Sequence, residues 1–487
     1  MRRVGLSIIS ASALLGIGLC VLSASCSDNS AGDTKTDMGD EDSREAPTVT
    51  AVSPTRAVNN VTTPITITGK GFREGASVTV GGAACTSVSV VSDTSITCTA
   101  PSKAGSCGFQ DIVVTNPNDK KGGTGSKLFA YASSGLAWAT PVDYQVGNYP
   151  RRVITADING DGKLDLVSAN QTGSTVTVRY GAGDGTFPMD KSVTVAIGAA
   201  TVPMDVIAVD LNADGKLDLA TVNAGGNGSV SALINQSESN FKATVTSTNV
   251  SSFSSGVALA SGDYNGDGKV DLVVSSNASL YVLPLAGDGT GSFTPGTIRA
   301  VGGITSDIAL IDMDGDGKLD LVTANFSTNS VTVALGAGNG TFSNPLNQNA
   351  STRPGGLFVT DLDGDKKLDV VVANTIGNNV SVLLGTGGGL LANPVQLPLG
   401  TNSPESVWVA DWDGDGKPDI VTANSQSNNW SYFQGTSPTQ YAAPVHTMTG
   451  TTPSGVASAD LNGDGMQDLV LANAGSNNLQ VILSACK

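Results

Sequence analysis

Histidine is all but missing from this chain: among 487 residues the only one is His446. A His-based catalytic triad or a multi-histidine zinc site therefore has almost no raw material. Charged residues make up 14% and aromatics 5%, and no lysine- or arginine-rich run occurs. With a formal net charge of −17, nucleic acid is excluded as a partner, because neutralising phosphates needs clustered cations. No cysteine sits in a metal-binding C-x-x-C pair. Past the N-terminal region no apolar run is long enough to span a bilayer. What is abundant is glycine, with 60 residues. Scarce aromatics and plentiful glycine suit many short strands joined by tight turns, which makes the expected fold class all-β.

The N-terminus reads as an export signal over residues 1–25. Arg2 and Arg3 precede an apolar stretch from Val4 to Leu22, and "LSASC" ends it at Cys26. This resembles a bacterial lipoprotein signal, with the usual aliphatic residue, Leu22, one place early. The resemblance implies lipidation of Cys26 and an outer-membrane or cell-surface protein. The alternative is a plain secretory signal cut before Cys26. Residues 26–46 are polar and acidic, a composition that buries no core, and are expected to form a flexible tether.

Residues 47–132 alternate in a β pattern: "TPITITGKGF", "ASVTVGGAAC", "TSITCTAP", "DIVVTNP" and "KLFAYA". Turn residues punctuate short Val/Ile/Thr runs, as in a sandwich. In an exported protein disulfides are the default. Cys85 and Cys98 are the preferred pair, and Cys107 with Cys486 is the pairing left over. The order of pieces, from "VTAVSPT" to "LFAYA", resembles the IPT/TIG domain, an immunoglobulin-like module. That resemblance implies a spacer or interaction module without catalysis, and a bond between Cys85 and Cys98.

Residues 137–487 form a repeat array. The unit is an acidic nonapeptide starting at Asp157, Asp210, Asp263, Asp312, Asp361, Asp411 and Asp460, at intervals of 53, 53, 49, 49, 50 and 49 residues. Each unit reads as a strand into the acidic loop, a second strand such as "LDLVTAN", a polar turn, a third strand, a "GNGTF"-type turn and a weaker fourth strand. Four strands per fifty residues is the size of a propeller blade. The tandem units resemble the FG-GAP/VCBS repeats of integrin alpha chains and bacterial surface proteins. The last unit lacks a fourth strand, and "GLAWATPVDYQVGNYP" before the first loop looks like the end of a unit. The chain's own beginning is thus expected to complete the last blade and close a seven-bladed β-propeller, an open solenoid being the alternative.

In "DMDGDGKLD" the acids fall at positions 1, 3, 5 and 9, and alternate positions of a tight loop converge on one centre. Glycine at position 6 permits the sharp turn. Position 7 offers its carbonyl. The candidate metal ligands are Asp157, Asn159, Asp161, Lys163 and Asp165; Asp210, Asn212, Asp214, Lys216 and Asp218; Asp263, Asn265, Asp267, Lys269 and Asp271; Asp312, Asp314, Asp316, Lys318 and Asp320; Asp361, Asp363, Asp365, Lys367 and Asp369; Asp411, Asp413, Asp415, Lys417 and Asp419; and Asp460, Asn462, Asp464, Met466 and Asp468. All are hard oxygens, which suits Ca²⁺, up to seven ions. An EF-hand is excluded, because position 12 holds Ser168, Thr221, Val274, Thr323, Val372, Thr422 or Leu471 instead of glutamate, and a strand pattern follows instead of a helix. The seven loops hold 24 of the 43 acids, leaving 19 against 26 basic residues. The acidity of the chain is the acidity of its loops. Lys366 at position 6 marks the fifth loop as the weakest site. The position-2 residues should point into the core, and the asparagines after the second strand (Asn170, Asn223, Asn325, Asn374, Asn424 and Asn473) read as turn residues.

The aspartate loops and "GNGTF" turns share one face, and the polar turns and blade connections the other. The connections vary, and recognition can vary with them. Tyr149, Arg151, Arg152, Phe326, Arg353 and Trp430 are candidate contacts there. The expected function is binding or adhesion, with a surface glycan or protein as ligand and no catalysis. The alternative is a polysaccharide lyase or hydrolase, for which no cluster of acids or Lys/Arg/Tyr exists outside the loops.

Overall fold

The computed structural model describes residues 46–486, apart from 104–106, 118–121, 133–135, 227, 238–239, 251–252, 254 and 401. Cys26 and the signal and tether regions lie outside the described residues. Among the described residues there is no α-helix, and no helix long and apolar enough to cross a membrane. Contacts divide the chain into two compact units: one runs to Lys103 and resumes over Phe109–Ala130, and the other contains Tyr131 onward.

The first unit is a two-sheet sandwich. One sheet pairs Thr48–Ser53, Thr63–Lys70, Ser95–Ala100 and Thr86–Ser92, in that order; the other is built on Gly123–Ala132, Gly108–Thr115 and Ser77–Val80. Strict alternation along "TPITITGK" buries Ile65 and Ile67 and exposes Pro64, Thr66 and Thr68. They meet Val78, Ile96, Ile112 and Val114 in the core. Here the expected Cys85–Cys98 disulfide is corrected. Both cysteines are free thiols, Cys98 buried and Cys85 half-buried. Cys107 is disulfide-bonded, to neither of these two.

The second unit is built on seven four-stranded antiparallel sheets in succession, with the outer strand of the third split in two, and short two-stranded pairs beside them. The fourth is typical: Thr305–Ile311, Asp320–Asn325, Ser330–Ala334 and Leu346–Asn349. Its second and third strands are buried along their whole length, whereas the outer strand is largely exposed. This gradient is why "DLVTAN" and "SVTVA" are apolar runs and "LNQN" is not. The innermost strands contact one another in a closed cycle, each against the next and Pro453–Ala459 back against Pro150–Ala156. The chain's beginning supplies the missing strand, as expected: Val142–Gln145 pairs with Asn478–Ile482 and completes the seventh sheet.

The seam of this cycle carries a clasp found in no other sheet. Arg179 ends the third strand of the first sheet and is 2% exposed. Its Nε and Nη2 donate to the Gln145 carbonyl at 2.9 and 2.6 Å, and Nη1 donates to the Phe187 carbonyl at 2.9 Å. Its guanidinium also lies 5.5 Å from the Tyr144 ring. Leu233, Leu285, Ala334, Leu383, Phe433 and Ile482 occupy the same register position in the other sheets. Only the first sheet faces a strand that arrives from elsewhere in sequence.

The recurring asparagines are corrected from turn residues to strand residues. All six end a second strand and are fully buried. In the first sheet the Asn170 amide donates to Thr175 and Thr177, while Ser168 donates to its carbonyl oxygen. Buried polar atoms are costly unless paired: Ser or Thr at position 12 donates to four of the six asparagines, and Ser351 N and Thr449 Oγ1 serve Asn374 and Asn473, where position 12 is Val372 or Leu471. The left-handed turn positions are other residues: Asn329, Asn378, Asn428 and Asn477 have φ between +51° and +58°. Their carbonyl oxygens accept from the amides of Arg353, Ser403, Thr452 and Tyr149, each at the start of the following sheet.

Candidate functional site

The seven acidic loops join the first and second strands of the seven sheets, and the position-2 residues are buried as expected. In the fourth loop Asp312 Oδ1 accepts from Gly315 N at 2.7 Å and Asp316 N at 3.1 Å, and Oδ2 accepts from Gly317 N at 2.8 Å. Asp316 Oδ1 accepts from Lys318 N at 2.9 Å. Two left-handed residues make this wrap possible, at position 6 as expected and also at position 4. Gly315 and Gly317 have φ of +81° and +84°. Lys366 adopts +68° at position 6 of the fifth loop, and Ala213 adopts +59° at position 4 of the second. A side chain in this region costs about 1–2 kcal/mol, so the second loop carries a strain that the sequence reading assigned to the fifth alone.

Position 9 has a role that the spacing did not reveal. Asp165, Asp218, Asp271, Asp320, Asp369, Asp419 and Asp468 are at most 1% exposed. Asp320 Oδ2 accepts from Met313 N at 2.8 Å, and Oδ1 accepts from Gly336 N at 2.7 Å. The Oδ1 contact recurs in all seven sheets, to the amide sixteen residues on in six of them and seventeen on, at Asn235, in the second, at 2.6–3.0 Å. This carboxylate ties the loop to the end of the third strand. Burial pushes its pKa up, to about 6 at Asp320 and Asp369, about 7 at Asp165 and Asp468 and about 8 at Asp419.

In three loops, carboxylate oxygens of three acids lie within 4.8 Å of one another: Asp312, Asp314 and Asp316; Asp361, Asp363 and Asp365; and Asp411, Asp413 and Asp419. These are the loops with aspartate at position 3; Asn159, Asn212, Asn265 and Asn462 stand there in the others. A cation about 2.3–2.6 Å from each oxygen spans oxygens up to about 5 Å apart, so the donor set fits calcium in both chemistry and spacing. The position-7 lysines pair with position 5: Lys216, Lys318, Lys367 and Lys417 lie 2.6–3.3 Å from Asp214, Asp316, Asp365 and Asp415. The Lys318 stem also lies against Gly338 of the "GNGTF" turn, where an added Cβ would stand 2.8 Å from it. The seventh sheet has no such turn, and there Met466 replaces lysine and is buried.

On the opposite face the six candidate contacts separate. Trp430 is 1% exposed and packs 5.0 Å from Trp138, so it is core and not a contact. Arg353 is exposed and its guanidinium lies 5.8 Å from the Phe326 ring. Tyr149 is half-buried. Arg151 pairs with Glu405 at 3.6 Å, and Arg152 turns inward.

Six successive matches to the FG-GAP-like repeat family cover residues 157–221, 210–274, 263–323, 312–372, 361–422 and 411–471. Each runs from one loop through the next, so six matches take in all seven loops. Residues 47–131 match the IPT/TIG domain. No curated protein matches the chain. Among solved structures the chain is similar to an auxiliary nutrient binding protein from Bacteroides ovatus, at 13% identity and TM-score 0.43, over 91% of this chain and 98% of that one. It is similar to another from Bacteroides thetaiotaomicron, at 11% identity and TM-score 0.42, over 92% and 100%. It is also similar to an Agrocybe aegerita lectin that recognises non-reducing terminal N-acetylglucosamine, at 18% identity and TM-score 0.42, over 84% and 97%. The repeat matches together span residues 157–471, well over half of the chain, and the chain belongs to the FG-GAP-like repeat family.

Proposed function

We propose that this is a calcium-stabilised binding protein held at the cell surface, whose seven sheets are the blades of a closed propeller. The observation that carries the reading is the convergence of three carboxylates within 4.8 Å in each of three loops. Like charges at that spacing repel strongly unless a cation shares them. Bound calcium would supply positive charge there, and the chain's residues hold the oxygens in place: loop amides wrap position 1, and two buried amides fix position 9.

Extracellular calcium modules bind with Kd of about 10⁻⁴–10⁻³ M. At millimolar calcium the tight end contributes about 1.4 kcal/mol per site. Seven sites sum to about 10 kcal/mol, the scale of a domain's whole net stability. Calcium is thus a folding component and not a catalyst. The recurrent residues of the loop face are consumed by this scaffold, which leaves the variable connections of the opposite face for a surface glycan or protein. Cys26 carries the lipid that anchors the chain, and the IPT/TIG domain acts as the spacer.

The test is a panel of glycans and surface extracts probed with the full exported chain, with and without chelator. Saturable, calcium-dependent binding without turnover supports the reading. Depolymerisation of a polysaccharide overturns it in favour of a lyase or hydrolase.

A further inference from the structure

The axis of the ring holds a charge cluster that neither the calcium loops nor the repeat pattern requires. Five residues before the first aspartate of each loop stand Arg152, Asp205, Ala258, Asp307, Gly356, Ser406 and Gly455. Just before this position the register of six of the seven innermost strands slips, for instance between Pro150 and Arg152 and between Thr305 and Asp307, and in the fifth the slip spans Gly356. Such a slip re-aims the side chain that follows. Four of the seven residues are small. A Cβ on Gly356 would stand 3.0 Å from the Glu405 carbonyl, and one on Gly455 3.2 Å from the Arg151 carbonyl. A side chain at either glycine would need its neighbour to give way by a few tenths of an ångström, and of the seven residues at this level only Arg152 and the two aspartates are large.

We infer that Arg152 is an axial pin, a single guanidinium from the first blade that crosses the ring to hold the innermost strands of the second, fourth and sixth blades. Its Nε lies 3.6 Å from Asp205 Oδ1, its Nη2 3.6 Å from Asp307 Oδ2, and its Nη1 donates to Ser406 Oγ at 3.5 Å. Direct charge-assisted bonds are about 2.7–2.9 Å, so the cation is shared among several acceptors and not committed to one.

Both acids do work of their own between blades. Asp205 Oδ1 accepts from Val206 N at 2.9 Å, and Oδ2 from Leu259 N of the third blade at 3.3 Å. Asp307 Oδ1 accepts from Ile308 N at 2.9 Å, and Oδ2 from Leu357 N of the fifth blade at 2.9 Å. They are 4% and 0% exposed, and a buried carboxylate needs a counter-charge. The planar fork of arginine spreads five donors in a fixed geometry over acceptors on different strands, where an ammonium is a compact point charge with three. The pin and its two acids therefore couple six of the seven blades. The neighbouring Arg151 also joins the first and sixth blades, through Glu405 at 3.6 Å.

A double-mutant cycle on the full chain in calcium buffer tests this. The unfolding equilibria of the parent, Arg152→Met, Asp205→Asn/Asp307→Asn and the triple variant are compared. Removing the two acids is expected to be at least about tenfold less damaging when Arg152 is already gone, a coupling within the range seen for contacting charges. Effects that multiply independently to within about twofold overturn the pin. If Arg152→Met does not fold, a triple variant that folds supports the pin, and one that fails in the same way overturns it. Arg152→Lys, which keeps the charge but not the fork, is expected to fall between the parent and Arg152→Met; a stability equal to the parent's refutes the role of the fork.

Discussion

Replacing Arg179 by methionine should open the ring at its seam. The buried guanidinium makes three hydrogen bonds to neutral carbonyls, two of them to Gln145 in the strand that completes the seventh sheet. Burial lowers its pKa, a sign that the site penalises the charge and that the three bonds must offset it. Hydrogen bonds to a charged group contribute about 1.5–3 kcal/mol each. Three of them, less the desolvation that methionine no longer suffers, leave a loss of about 2–5 kcal/mol. For a unit of this size each kcal/mol moves Tm by about 1–3 °C, so a fall of about 5 °C is expected. Tryptophan emission suits the assay, because Trp138, Trp408, Trp412 and Trp430 all pack at or beside the sixth and seventh sheets, next to the seam. Leu383→Met, at the same register position in the fifth sheet, is the control and should cost under about 1.5 kcal/mol. An Arg179→Met variant no less stable than that control refutes the clasp.

Ala213→Gly and Lys366→Gly each relieve a left-handed side chain and should raise stability by about 1 kcal/mol in thermal melts; no gain at Ala213 means the second loop is unstrained. Asp320→Ala leaves two buried amides without an acceptor and should cost about 2–4 kcal/mol with or without calcium, whereas Asp316→Ala should cost stability mainly when calcium is present; equal calcium dependence of the two contradicts the division of roles. The raised position-9 acids set a pH dependence. A free carboxyl titrates near 3.9, while burial pushes Asp165 and Asp468 to about 7 and Asp419 to about 8. The folded chain therefore holds protons that the unfolded chain has released, and this contribution is full below about pH 4 and lost as pH climbs through 7–8. In chelator, Tm should fall from pH 5 to pH 8; a rise over that range contradicts the shifts.

Repetition made most of this legible. Seven nonapeptides at near-constant spacing set the strand count, the loop positions and the completion of the last sheet from the chain's start. Alternation in "TPITITGK" did the same for the sandwich. What stayed hidden depends on partners far away in sequence. Arg152 looks like a surface residue until Asp205, Asp307 and Ser406 surround it, and Arg179 looks ordinary until Gln145 arrives. Trp430 was misplaced because its position in a repeat says nothing about Trp138, which comes from outside the repeat. The asparagines were misread because turn propensity and buried hydrogen bonding favour the same residue type. Spacing assigns position 9 to the cation, while its hydrogen bond to an amide sixteen or seventeen residues on reaches the end of the third strand, beyond the motif.

The most direct measurement is the thermal midpoint of the full exported chain in excess chelator and in millimolar free calcium, at one pH and low ionic strength. A stabilisation near 10 kcal/mol over seven sites should raise Tm by more than about 10 °C, with magnesium at the same concentration giving much less. The same midpoint in chelator and in calcium contradicts calcium as part of the fold.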